Sequence, residues 1–248
     1  MPLKEGVRGS TCTLLDGHIM LDVGPTACYR MAQEKINPAA ITDVVLTHSH
    51  DDHFNLKCLE EIANAPDRLE RLRIYASPEA VHAVRSLPII GVCMDYGRTF
   101  HISEYSFTAL PAQHYLPNGE KAFHYLLTMP DGRLLLYALD GGWMAGMVRE
   151  LLMFRPSDRQ RPLDMIIWDA TSGTSRNNWR FTDHNDLFMI RYMCQALGQV
   201  GIVSEKTRHI LTHVARTLWP KTDEERQMAA REANAVLAED GMKITFNR

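Results

Sequence analysis

Seven consecutive residues, Thr47-His48-Ser49-His50-Asp51-Asp52-His53, place three imidazoles and two carboxylates directly behind the apolar run Val44-Val45-Leu46. In an extended loop His48 and His50 point the same way, because side chains alternate, while Asp52 and His53 come where the chain turns into a helix. Such a cluster can present at least four metal-binding atoms. Imidazole suits zinc, manganese or iron, and carboxylate oxygens can complete or bridge two such ions. A polar loop with scattered histidines is the plainer alternative. Asp-His at this distance from His-x-His is what favours metal chemistry.

The pattern His48-x-His50-x-Asp52-His53 after an apolar strand resembles the signature of the metallo-β-lactamase-fold hydrolases. The resemblance implies an α/β chain, a four-layer αββα sandwich, whose later ligands each follow a strand. His114, Asp140 and His213 do each follow a strand-like apolar run. By implication one metal site is His48, His50, His114 and Asp140, and a second is Asp52, His53, His213 and the shared Asp140. Asp52 also counts among the catalytic residues. Two divalent ions about 3.5–4 Å apart can hold a bridging hydroxide at neutral pH. Together with the Asp52 and Asp140 carboxylates and that hydroxide, they leave a net positive charge, which favours an anionic phosphodiester. Leu21-Asp22-Val23-Gly24 resembles the family's acidic, glycine-ended strand, whose aspartate braces the metal loop; an ordinary turn carboxylate is the rival for Asp22. For His114 and His213 the rival is a surface or satisfied histidine, and for Asp140 it is an ordinary Asp-Gly-Gly turn.

His184 is not needed by the metals. In phosphodiesterase branches of the family, the transfer-RNA 3′-processing enzymes and the cyclic-phosphate hydrolases of phosphonate metabolism, a Gly-His-Asn or Gly-His-Ser motif precedes the last ligand. An upstream Glu-Ala-Thr or Asp-Ala-Thr supports it. Asp169-Ala170-Thr171 and His184-Asn185 resemble that pair. The resemblance implies that His184 protonates the leaving alkoxide and that Asp169 holds its ring and raises its pKa toward neutrality. Asp183 stands where the motif has Gly, so an N-cap and first-turn role for Asp183-His184 stays open. Arg176, Asn178 and Arg180 could bind phosphate or be solvated loop residues. There is neither a cysteine cluster like the extra zinc site of the phosphonate enzymes nor a Gly- and Pro-rich arm for transfer RNA. The expected substrate is a small or cyclic phosphodiester rather than structured RNA. Competing functions are a lactonase or thioesterase of the same fold, an iron enzyme of oxygen chemistry, and a metal-binding module without catalysis.

The elements that must position these residues follow from the chain in order. Thr11 to Leu15 and His18 to Asp22 read as a hairpin across Asp16-Gly17. Ala27 to Lys35 reads as a helix, Asp43 to Thr47 as the strand delivering the metal loop, and Leu56 to Ala65 as the next helix. Arg73 to Ala76 is β, and Ser77-Pro78-Glu79 opens a helix, with Ser as N-cap and Pro at the first position, that carries a structural or exposed His82. Strands follow over Thr99 to Ile102, Phe107 to Ala112, Phe123 to Met129 and Arg133 to Leu139. Trp143 to Phe154 reads as a helix, Met165 to Trp168 as a buried strand, Asp186 to Leu197 as a helix and His209 to Thr212 as a strand. Thr222 opens a capping-box helix reaching Glu239, and Lys243 to Phe246 is expected as a closing strand.

The chain has 248 residues, 45% of them hydrophobic, and no linker, which predicts a single domain spanning 1–248. A net charge of −3 without a long basic run argues against broad electrostatic capture of nucleic acid. The five cysteines are an odd number with no close pair, so no disulfide framework is expected and a reducing cytoplasm fits. Neither a signal-peptide core nor a run of about 18 apolar residues occurs, so a soluble, unprocessed chain without a membrane partner is expected. Homo-oligomerisation stays open.

Overall fold

In a computed structural model of the chain, residues 8–155, 160–176 and 179–245 are described. Asn178, Phe246 and the N-terminal Met1 to Gly6 lie outside the described residues. Backbone contacts divide the chain into two compact units, residues 1–94 with 238–248, and residues 95–237.

The first unit is built on a five-stranded sheet in the order β1-β2-β3-β4-β5. Strands β1 (Thr13–Leu15) and β2 (Ile19–Leu21) are antiparallel, and Asp16 and Gly17 both take positive φ between them, as a tight hairpin matching strand twist requires. Strands β3 (Asp43–Val45), β4 (Leu72–Ala76) and β5 (Ile89–Cys93) continue the sheet in parallel. Parallel strands need crossovers, which α1 (Ala27–Gln33), α2 (Leu56–Ala63) and α3 (Pro78–Ala83) supply. Asn55 and Ser77 cap the latter two helices by accepting from the Cys58 and Ala80 N–H. Met20, Val44, Leu46, Leu59, Ile62 and Ile74 are buried together. His82 in α3 is exposed.

Two features of this unit differ from the sequence expectation. The sequence ends the helix opened at Ser77 by Leu87-Pro88 and assigns no element to Ile89-Ile90-Gly91, where the structure has β5 directly after Pro88. Gly91 lies so near Val81 that a Cβ there would come within 2.4 Å of it, which lets α3 pack on the strand. The second difference is a disulfide between Cys28 and Cys58, residues of α1 and α2 separated by 30 positions. Their spacing gave no sign of pairing because it is the packing of α1 on α2 that brings them together.

The second unit is built on a seven-stranded sheet in the order β12-β11-β10-β9-β8-β7-β6. Strands β6 (Thr99–Ile102), β7 (Tyr105–Pro111), β8 (Phe123–Thr128) and β9 (Leu134–Ala138) form an antiparallel meander. β10 (Met165–Asp169), β11 (Arg208–Thr212) and β12 (Val236–Leu237) then run parallel to β9. Because β8 runs opposite to both its neighbours, β7, β9, β10 and β11 share one direction, and their C-terminal ends meet one edge of the sheet. The core packs Leu136, Ile166, Trp168 and Leu211 against Val148 and Leu152 of α4 (Gly146–Met153) and Met189, Ile190 and Met193 of α5 (Leu187–Gln199). Helix α6 (Asp223–Glu232) opens with the expected capping box at Thr222 and Glu225.

The helix does not reach Glu239. Asn234 takes a left-handed backbone (φ 54°), which ends the helical path and turns the chain into β12. The closing strand is therefore Val236–Leu237, and Lys243 to Thr245 join no ladder. Among the described residues no helix is long and apolar enough to cross a membrane.

Candidate metal centre

In the first unit the ligand candidates sit at the C-terminal ends of β2 and β3. Asp22 takes positive φ (59°) directly after β2, which turns its carboxylate across to β3. There it accepts the Thr47 N–H at 2.8 Å, and both its oxygens lie within 3.0 Å of the Thr47 hydroxyl. Asp22 Oδ2 also lies 3.0 Å from His53 Nδ1. An imidazole nitrogen facing a fully buried carboxylate carries the ring proton and donates it, leaving Nε2 of His53 as the lone-pair atom. His48 Nε2 and His50 Nδ1 lie 3.0 Å apart. Two lone pairs cannot face each other at that distance without a proton or a cation, and in a protein rich in imidazole and carboxylate a divalent ion fits. Asp52 is half exposed, with its carboxylate 3.8 Å from His53 Nε2. The loop is pinned by Val23 N–H to His53 carbonyl at 2.7 Å and Asn55 N–H to Val23 carbonyl at 2.8 Å. Gly24 permits this, since a Cβ there would come within 2.2 Å of the Asp52 carbonyl.

In the second unit, His114, Asp140, Asp169 and His213 occupy the ends of β7, β9, β10 and β11. Asp140 (φ 37°) and His213 (φ 56°), like Asp22, have left-handed backbones, a conformation L-residues adopt at a cost and that concentrates at functional sites. His213 Nε2 lies 3.2 Å from Asp140 Oδ1, and His114 Nε2 lies 3.7 Å from Asp140 Oδ2. Nδ1 of His114 faces the Asp183 carbonyl at 3.1 Å, so it carries the proton and Nε2 is again the lone-pair atom. Asp140, His184 and His213 offer ligand-type atoms within 4.8 Å of one another, so His184 stands among the metal-ligand candidates as well as beside Asp169.

Asp169 organises this edge. It is fully buried and accepts the Gly141 N–H at 3.2 Å, the Thr171 N–H at 2.9 Å, the Thr171 hydroxyl at 2.5 Å and His184 Nδ1–H at 2.9 Å. His184 stacks on His213 with ring centroids 5.5 Å apart. Burial pulls the His184 pKa down, but the hydrogen bond to Asp169 and the charges of Asp169 and Asp140 outweigh it and raise the pKa above the ordinary histidine value.

The sequence left the Asp-Gly-Gly turn and Asp183 ambiguous, and close approaches account for both. A Cβ on Gly141 would lie 2.7 Å from His124 Nε2, and one on Gly142 would lie 2.9 Å from the Phe181 and Thr182 carbonyls. The 3-10 turn Trp179–Thr182 thus rides directly on the segment following Asp140. Asp183 is not the cap of α5. Asp186 is, accepting the Met189 N–H at 2.6 Å, while the Asp183 carboxylate receives the Tyr115 N–H and the Thr182 hydroxyl. Sequence reasoning missed His124, a buried residue of β8 whose pKa desolvation lowers to about 4, because nothing local distinguishes it from a core position. Arg180 stacks over Trp179 at 4.8 Å and Arg176 over Phe188 at 5.0 Å.

A family model described as the beta-lactamase superfamily domain matches residues 18–214. No curated protein matches the sequence. Among solved structures, the chain is similar to the metallo-β-lactamase fold protein YhfI from Bacillus subtilis (TM-score 0.71, 12% identity, 94% of this chain and 91% of that one). It is also similar to a diphosphatase from the PhnP family (TM-score 0.69, 19% identity, 96% and 83%). A third is the short form of human tRNase Z (TM-score 0.67, 15% identity, 98% and 95%). At these identities the likeness speaks for the fold, and with the family model covering most strands of both sheets and every strand-end ligand candidate, the chain belongs to the β-lactamase superfamily and has the metallo-β-lactamase fold.

Proposed function

We propose that this protein is a metal-dependent phosphodiesterase acting on a small or cyclic phosphodiester, with His184 as the acid that protonates the leaving alkoxide. The observation that carries the reading is the His184–Asp169 pair at 2.9 Å beside the carboxylate and imidazole of Asp140 and His213. Metal-assisted attack on a carbonyl, as in a lactonase or thioesterase, gives less reason to hold a second histidine protonated against a buried carboxylate.

The residues that would hold divalent ions, zinc or manganese with iron as a third choice, are His48, His50, Asp52 and His53 from the first unit and His114, Asp140 and His213 from the second. Bound divalent ions would supply Lewis-acid polarisation of the phosphoryl group and a nucleophile from water at neutral pH. Asp169 fixes the His184 ring through Nδ1, so the proton to be transferred resides at Nε2. The raised pKa keeps that nitrogen protonated in a larger fraction of molecules near neutrality. Asp22 does for His53 what Asp169 does for His184, holding one ring orientation and one tautomer. The similar solved structures include a diphosphatase and a tRNase, which supports phosphoester chemistry here.

The test is metal content of the purified protein with hydrolysis of bis(p-nitrophenyl) phosphate, beside a lactone and a thioester, with and without added zinc or manganese. Two ions per chain and preferential diester cleavage are expected. His184→Ala should keep the metal and lower diester turnover by about 10²–10⁴-fold. Lactone or thioester cleavage alone would overturn the phosphodiester reading, and unchanged turnover in His184→Ala would remove its acid role.

A further inference from the structure

The Thr171 hydroxyl has more neighbours than one proton can serve. Its Oγ1 lies 2.5 Å from Asp169 Oδ1, 2.6 Å from His213 Nδ1, 2.9 Å from the His213 carbonyl and 3.2 Å from His184 Nδ1. A hydroxyl donates once and accepts twice. Its shortest contact is a fully buried carboxylate, and charge-assisted O–H···O⁻ bonds are the short, strong ones, so the proton goes to Asp169. The carbonyl of His213 is the one other oxygen acceptor in reach, and giving the proton there instead leads to the same conclusion for the ring. A lone pair on Oγ1 faces His213 Nδ1 at 2.6 Å in either case, and Nδ1 must then be the N–H.

We infer that Thr171 is a positioning residue that sets the tautomer of His213, presenting Nε2 rather than Nδ1 to a divalent cation. The inference rests on the metal-centre reading given above. His213 needs such a device. Its backbone has positive φ, its ring is stacked on a second imidazole, and its Nδ1 lies 3.7 Å from Asp169, beyond hydrogen-bond distance. The threonine spans the gap that the aspartate cannot.

The same construction occurs independently in the first unit. The Thr47 hydroxyl lies 2.9 and 3.0 Å from the two oxygens of the fully buried Asp22 and 3.0 Å from His48 Nδ1. By the same proton count His48 carries its hydrogen on Nδ1, and its Nε2 is the atom 3.0 Å from His50 Nδ1. Each sheet therefore delivers a buried aspartate, a threonine hydroxyl and two imidazole Nδ1 atoms, with the aspartate serving one histidine directly and the threonine relaying to the other. Direct carboxylate contact is made to His53 and His184, and relayed contact to His48 and His213.

The experiment is ¹⁵N and ¹¹³Cd NMR of the cadmium-loaded, ¹⁵N-histidine-labelled full chain, with signals assigned by single histidine replacements. Cadmium–nitrogen coupling to Nε2 of His213 and His48, with a protonated Nδ1 on each, is expected. Coupling through Nδ1 of His213 would overturn the inference while leaving the metal reading intact, whereas wild-type protein that binds no cadmium would overturn that reading and the inference with it. In Thr171→Val, which keeps the shape and removes the hydroxyl, metal affinity by chelator competition should fall about 10–100-fold, and Thr171→Ser should restore it. Full affinity in Thr171→Val, or a serine variant as weak as the valine one, would overturn the tautomer role. If the valine variant does not fold, the wild-type spectrum and the serine variant still decide.

Discussion

At the scale of single residues, the turn after Asp140 makes the sharpest claim. Gly141 is required by its neighbour rather than by its own backbone, since the space for a Cβ is taken by His124 Nε2 at 2.7 Å. His124 is buried in β8 and Gly141 donates its N–H to Asp169, so neither side can retreat without moving the carboxylate that holds His184. Gly141→Ala is expected to destabilise the protein by about 1–3 kcal/mol, the usual range for overpacking, and to weaken metal binding through Asp140. Denaturant midpoints would measure the first effect. The cause can be isolated by a double-mutant cycle, because Gly141→Ala in a His124→Ala background should cost much less. Additive losses would place the strain elsewhere. The sequence marks this turn as chemistry only through the order of its neighbours. The reason for its second letter lies 17 positions upstream on a different strand and cannot be seen in the local pattern.

Elements carry the site by their ends. β7, β9, β10 and β11 reach the same edge, and the segment from Trp179 to Asn185 crosses that edge before α5 begins. Asp186 ties the crossing segment to the start of α5. It caps α5 by accepting the Met189 N–H, and Gly173 bridges to it across the crossing segment. Asp186→Ala should cost about 1 kcal/mol or somewhat more through the lost cap, read as a shift in denaturant midpoint. It should also raise KM or lower turnover through a looser His184, while Asp186→Asn, which keeps the cap, should do neither. Strand-end placement was legible in the sequence because each ligand candidate directly follows an apolar run, and turn dipeptides such as Asp16-Gly17 state their geometry locally. What was not legible depends on contacts distant in sequence. The Cys28–Cys58 bond depends on α1 packing against α2, β5 on a glycine that admits Val81, and the two-residue β12 on Asn234 stopping α6. Thr47 and Thr171 were visible as letters of their motifs, while their place between a carboxylate and an imidazole follows from the left-handed backbones at Asp22 and His213.

For the whole molecule, the buried histidines decide how stability responds to acid. His124 is buried, and desolvation outweighs the attraction of Asp169 and Asp140 to hold its pKa down at about 4; the nearby His114 acts in the same direction as burial. Desolvation lowers the His209 pKa as well. A histidine whose folded pKa is depressed contributes its full stability above the unfolded value near 6.5, and that contribution drains away as pH falls, because the unfolded chain gains protons that the native state refuses. His184 works in the opposite sense. Its raised pKa adds stability that is complete below the unfolded value and is lost as pH rises through the folded one. The metal-free protein is therefore expected to have its acid limb set mainly by His124, with roughly 2 kcal/mol lost between pH 7.5 and 5 from that residue alone. Urea unfolding of chelator-treated protein across this range measures it, with His124→Gln as the comparison. The variant should start less stable at pH 7.5 and lose less on acidification, so that the two curves converge toward pH 5. Parallel curves would mean that His124 is protonated in the native state at higher pH than its burial dictates, and that the acid response comes from groups outside this edge of the second sheet.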